Sequence, residues 1–259
     1  MKTSGKTGLR LKAWKAVVAL SILGVSATSS LAAQEDALSI IREVDRRQRV
    51  DTSRTRTSMR VFPDAQNPSE FREFVIEGYE RGDSESYREV LEPRSVKGLR
   101  ILAIGEDAWL YFPSTGRVRK IAGTSRGESV QGIGGDFSYE DLGGGRLEEK
   151  YEFRLASVDA RSWTLEGMPR KPEGVYSRLV IRVSREAYRT ESIEFHTAKD
   201  GRLKTLEFLE YKNVSGRDTA TRLVMTNHRK GSRTVVTTLS AEYGVPIPEK
   251  FLNPAQFYK

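Results

Sequence analysis

Gly123-Thr124-Ser125-Arg126-Gly127 spells the G-x-S-x-G pattern in which a serine can act as nucleophile. In a hydrolase that serine stands on a sharp strand-to-helix elbow, with an acid and then a histidine downstream. His196 and His228 are the only histidines, and acids are plentiful. No helical apolar pattern follows Ser125, and no alternating strand–helix units surround it. An esterase using Ser125 is therefore a less favoured reading. Asp136, Glu140 and Asp141 form a second cluster. Asp136 and Glu140 share a face if Phe137–Leu142 is a helical turn, which would admit an acid–base pair or a divalent cation. The simpler expectation is that Asp136 or Ser138 caps a short helix and the other acids are solvated. Arg117, Arg119, Lys120 and Arg126 give four cations and no acid across Gly116–Gly127. They form either a solvated strand face or a positive rim for anionic groups. With no Cys, disulfides, cysteine-ligated zinc and a thiol nucleophile are all excluded. Two histidines cannot make a three-histidine metal site. The expectation is a protein that is not an enzyme, with no catalytic residue, no metal and no cofactor.

The elements that must position these residues begin after a leader. Lys2, Lys6, Arg10, Lys12 and Lys15 precede an apolar or small run, Ala16–Val25, and then the small residues of Ser26–Ala33. This is the three-part pattern of a cleavable signal peptide over residues 1–33. Its apolar core of ten residues is too short for a bilayer, which needs about twenty. The net charge of the whole chain is +8. Five of the cations belong to the leader, so residues 34–259 are close to neutral and no nucleic-acid partner is expected.

Residues 34–259 read as one domain. Ala37, Leu38, Ile41 and Val44 share a helical face, which predicts an amphipathic helix over 35–50. From there the period is two. Arg54, Arg56 and Arg60 alternate with Thr55, Thr57, Met59 and Val61, and Phe74 and Ile76 face away from Phe71, Val75 and Tyr79. Further short runs end at Thr234–Leu239, with turns at Asp200-Gly201 and Arg229–Ser232. Many short strands separated by turn residues predict an all-β sandwich or barrel. One stretch breaks the pattern. Residues 123–145 hold eight glycines, a density unfavourable inside strands and helices. It is either a flexible surface loop or a mobile segment beside a ligand opening.

Two blocks resemble a known family. They are Ala103-Ile104-Gly105-Glu106-Asp107-Ala108-Trp109-Leu110-Tyr111-Phe112-Pro113, continuing through Gly116–Ile121, and Gly135-Asp136-Phe137-Ser138-Tyr139-Glu140-Asp141-Leu142. Together with Met225-Thr226-Asn227 and Ile247-Pro248-Glu249-Lys250-Phe251, they resemble the outer membrane lipoprotein-sorting protein family, which is similar to the lipoprotein carrier LolA. The resemblance implies a mainly β fold, a half-open antiparallel β-barrel of about 11 strands with an N-terminal helix and short lid helices. It implies a periplasmic carrier that shelters the acyl chains of a lipid or lipoprotein and delivers them toward the outer membrane. Its partners would be an outer-membrane acceptor or an inner-membrane transporter of the RND type. The alternative is a non-catalytic partner subunit of such a transporter. On this basis Met59, Val61, Phe74, Ile76, Leu110 and Phe112 are candidate cavity residues, joined by Phe137, Tyr139 and Leu142 of the glycine-rich segment.

Overall fold

The computed structural model describes residues 36–172 and 174–259. The expected signal peptide lies outside them. Helix α1 runs Ala37–Gln48 and buries Ala37, Ile40, Ile41 and Val44, the face set by the three- and four-residue spacing. Thirteen strands follow. They are β1 Thr52–Phe62, β2 Arg72–Arg81, β3 Glu85–Glu92, β4 Arg100–Ile104, β5 Asp107–Phe112, β6 Arg117–Lys120, β7 Tyr151–Val158, β8 Ser162–Pro169, β9 Arg178–Ser184, β10 Thr190–Thr197, β11 Gly201–Val214, β12 Arg217–Asn227 and β13 Ser232–Tyr243. The count exceeds the eleven or so that the resemblance implies.

All thirteen form one antiparallel sheet in the order β6-β5-β4-β3-β2-β1-β13-β12-β11-β10-β9-β8-β7. Every neighbouring pair is consecutive in sequence except β1 and β13, which meet in the middle. The sheet stays open, with β6 and β7 as its two edges. The half-open, mainly β architecture read from the sequence is thus the one observed.

That order carries a consequence. Strands β6 and β7 are consecutive in sequence yet lie at opposite edges, so residues 121–150 must cross the whole sheet. The glycine-rich segment is this crossing. It contains a three-residue 3-10 turn at Gly123–Ser125, the short helix α2 Tyr139–Leu142 and the short helix α3 Leu147–Lys150.

Alternation sorts each strand into an inner and an outer face. On β1, Thr55, Thr57 and Met59 point inward, while Arg54 and Arg60 point outward to Glu77 and Glu73 on β2. The inner face packs in two halves. One is capped by α1 over Trp163, Leu165, Leu179, Ile181 and Val183. In the other, the glycine-rich crossing lays Val130, Ile133 and Tyr139 on Met59, Val61, Phe74 and Leu110. The outer face of β3 and β4 is covered by the C-terminal tail. There Phe251 stacks on Tyr87 at 4.4 Å between ring centroids, and Leu252 and Phe257 are buried beside Leu102.

Candidate functional site

The inner face does not fill completely. A cavity of about 300 Å³ lies between β1, β2, β4, β11, β12, β13 and the glycine-rich crossing. Its apolar walls include Met59, Ile76, Ile101, Leu206, Leu223 and Val236 from the sheet, with Val130, Ile133, Phe137 and Leu142 from the crossing. Two local features keep it open. Thr55 and Thr57 are short inward-facing side chains, and Gly78, opposite Thr55 on β2, has no side chain. At one end the wall turns polar, where Arg88 donates to Glu80 at 2.9 Å. The volume sits at the lower end of the range for small-molecule sites, about 300–1,000 Å³.

The nine apolar residues expected at a cavity divide into two groups. Met59, Ile76, Phe137 and Leu142 line it. Val61, Phe74, Leu110, Phe112 and Tyr139 belong to the adjoining packed cluster, where Ile121, Val130 and Ile133 lie against them. The side chains of Val61, Phe74, Leu110 and Phe112 point to the same face of the sheet, but the crossing, Tyr139 included, rests directly on them.

What holds the crossing down is polar, and it is buried. Asp136 is 3% exposed. Its carboxylate accepts hydrogen bonds from Ser232 Oγ at 2.5 Å and Thr234 Oγ1 at 2.8 Å, both on β13. Lys204 on β11, also 3% exposed, donates to Asp141 Oδ2 at 2.5 Å and to the Asp136 carbonyl at 3.2 Å. The Tyr176 hydroxyl donates to the other Asp141 oxygen at 2.6 Å. Burial pushes the Tyr176 hydroxyl well above the ordinary tyrosine range, and the Asp141 charge pushes it the same way. Buried charge is costly unless paired or hydrogen-bonded: Lys204 and Asp141 are paired, and both Asp136 carboxylate oxygens are met by hydroxyl donors.

Local sequence explains why the segment can do this. Gly135 adopts φ +81°, and a Cβ there would sit 3.0–3.2 Å from Thr234, Val61 and Met59. Only glycine lets the backbone come that close in that conformation. Gly144 passes so near Ser84 that a Cβ would lie 2.5 Å from its Cα. Ser138 and Asp141 form a capping box at the start of α2, as the Ser-x-x-acid spacing requires.

These contacts correct the expectation that the Asp136–Asp141 acids are solvated. Ser138 does cap a helix, but Asp136 and Asp141 are interior anchors, and Glu140 is paired with Arg126 at 2.8 Å. Among the described residues no group of three His, Asp or Glu could hold a metal. Ser125 lies in a 3-10 turn rather than at an elbow. His196 is held by Arg178 and Glu194, and His228 by Thr205, so neither is bonded to Ser125. Sequence reasoning missed Lys204, Tyr176, Ser232 and Thr234. Only Lys204 left a trace, as a cation at an inward position between Leu203 and Leu206.

The fold and the anchored crossing can be set against known proteins. A family model described as "-like: Uncharacterized protein" matches residues 82–259. The chain belongs to this family. A putative outer membrane lipoprotein-sorting protein domain from Vibrio parahaemolyticus shares the fold with a TM-score of 0.76 and 26% identity, over 86% of this chain and 98% of that one. A DUF1329 family protein from Desulfovibrio piger gives 0.76 and 22%, over 85% and 96%. A LolA superfamily protein from Nitrosomonas europaea gives 0.70 and 21%, over 85% and 98%. No curated protein matches the chain. The fold is LolA-like and lipoprotein-sorting-like over 85–86% of the chain.

Proposed function

We propose that this chain is a non-catalytic periplasmic carrier. It shelters acyl chains of a lipid or lipoprotein between the sheet and the glycine-rich crossing and hands them toward the outer membrane. The observation that carries this reading is the apolar cavity of about 300 Å³, roofed by a segment that buried polar contacts hold in place beside its apolar ones. An acyl chain gains about 0.8 kcal/mol for each CH₂ removed from water, so even a partly sheltered chain is held by several kcal/mol. Displacing the crossing would uncover Val61, Phe74 and Leu110 as well and lengthen the apolar trough. Lipoprotein-sorting and LolA superfamily relatives of the same fold support the assignment.

The test is to extract the purified mature protein and identify copurified lipid by mass spectrometry, alongside titration with a fluorescent fatty acid. The wild type is expected to carry lipid and bind the probe. Ile76→Trp and Val236→Trp, which fill the cavity from facing strands, are expected to lose both while remaining folded. Full lipid occupancy in these filled variants would sink the proposal.

A second reading is a partner subunit of an RND-type lipid-exporting transporter. It is favoured by β6, an open edge strand whose residues Arg117, Val118, Arg119 and Lys120 are all exposed. Such a subunit would need no cargo, so lipid-free protein that still binds the transporter would select it.

A further inference from the structure

The apolar cavity does not stand alone. Glu80 lines both it and a smaller polar recess of about 160 Å³. Asp45, Arg49, Asp83 and Arg146 line that recess and also a wide cleft of about 670 Å³ between α1 and the start of α3. Shared lining residues thus set the three in series, from a greasy interior to a charged vestibule.

The charges in the vestibule are unequally satisfied. Arg42 and Arg146 both pair with Glu148, at 2.7 and 3.1 Å, and Arg146 also holds Glu149. Arg46 is turned to Glu43. Three groups are left over. The Arg49 guanidinium makes no hydrogen bond or ion pair among the described residues, and neither does the Asp83 carboxylate. Asp45 Oδ2 is buried without a hydrogen-bond partner. Uncompensated groups of both signs in one cleft complement a ligand that itself carries both signs. A purely anionic head would meet Asp45 and Asp83 as repulsion, and a purely cationic one would meet Arg49 and Arg146.

Resting on the carrier reading, we propose that the vestibule receives a zwitterionic phosphate–ammonium headgroup of a lipid whose acyl chain lies in the apolar cavity. Arg49, with Arg146 beside it, receives the phosphate, and Asp83 and Asp45 receive the primary ammonium. The site selects cargo by head as well as tail.

Isothermal titration of the mature protein tests this with four probes. Three are lysophosphatidylethanolamine, lysophosphatidylglycerol and monoacylglycerol of one acyl length, each below its micelle concentration. The fourth is glycerophosphoethanolamine, which has the head and no chain. The expected result is that lysophosphatidylethanolamine binds at least tenfold tighter than each of the others. Asp83→Asn should reduce it to the lysophosphatidylglycerol level. Arg49→Ala should reduce both phospholipids to the monoacylglycerol level. Both positions are at the surface, and unchanged melting temperatures would confirm intact folding. Equal affinity for the three lipids would overturn the headgroup proposal and leave the carrier reading standing. Glycerophosphoethanolamine binding as tightly as the lysolipid would overturn it too, by making the vestibule a site for a soluble compound. Binding of none of the four would overturn both.

Discussion

The two halves of the inner face are both covered by apolar side chains, but only one cover is also tied down by buried polar groups. Over β7 to β10, helix α1 presses Ile40, Ile41 and Val44 onto the cluster of Trp163, Leu165 and Ile181. Over β1 to β5, the glycine-rich crossing lays Ile121, Val130, Ile133 and Tyr139 on the sheet and is fastened in addition by Asp136, Asp141 and Lys204. Apolar packing is non-directional and strengthens with every atom buried, so it makes a permanent cover. A few buried polar contacts are strong only while all of them are formed, so they release together. The buried polar anchors make the crossing the cover expected to release first, and α1 the one expected to stay.

The largest effect is expected from splitting the buried ion pair. Lys204→Met leaves Asp141 charged and without its cation, and breaking a buried pair costs about 3–5 kcal/mol. Hydrogen exchange should show residues 123–145 losing protection while α1 keeps its own. If both covers loosen alike, the division between them fails. Ile41→Ala should cost about 2–5 kcal/mol by opening a void under α1. That loss should appear as a lower global melting temperature with the crossing no more exposed than before. Asp136→Ala removes the acceptor for two β13 hydroxyls and should cost about 1–3 kcal/mol. With Lys204 still in place, it should increase the on-rate for a fatty-acid probe more than it lowers stability.

The smallest effect is a pH slope at the seam of α1 and α3. Burial, and then the charges of Glu148 and Asp83, raise the Asp45 carboxyl to about 6 from an ordinary 3.8. The folded state therefore binds this proton more tightly than the unfolded chain does. Its contribution is fully present below the unfolded value and is lost as pH rises through about 6. Asp45→Asn should flatten the stability profile between about pH 4 and 6 in denaturant titrations, leaving exchange in residues 123–145 unchanged. A slope that persists in that variant would locate the titrating group elsewhere.

Much of the fold was legible because its signals are local. Alternation of Arg54, Arg56 and Arg60 with Thr55, Thr57 and Met59 marks a half-buried strand whatever its neighbours are. The spacing of Ala37, Ile41 and Val44 marks a helix in the same way. The site was less legible. Met59 and Phe74 look alike in sequence, both apolar on inward positions, yet one meets the cavity and the other the crossing. Asp136 and Asp141 resemble any solvated acids of a glycine-rich loop until their partners on β11 and β13 are known. Those partners are 63–98 residues away in sequence.

The sequence by itself determined the elements and the two-faced character of the strands, because hydrophobic period and turn chemistry act over a few residues. It also determined the exclusion of thiol and three-histidine metal chemistry, because composition alone decides that. The tertiary structure alone decided that β6 and β7 sit at opposite edges and that the glycine-rich segment must therefore cross the inner face. It alone set the charged cleft and the apolar cavity on either side of a shared polar recess. Both depend on strand order, and strand order is fixed by pairing between residues far apart in the chain, which no local pattern encodes.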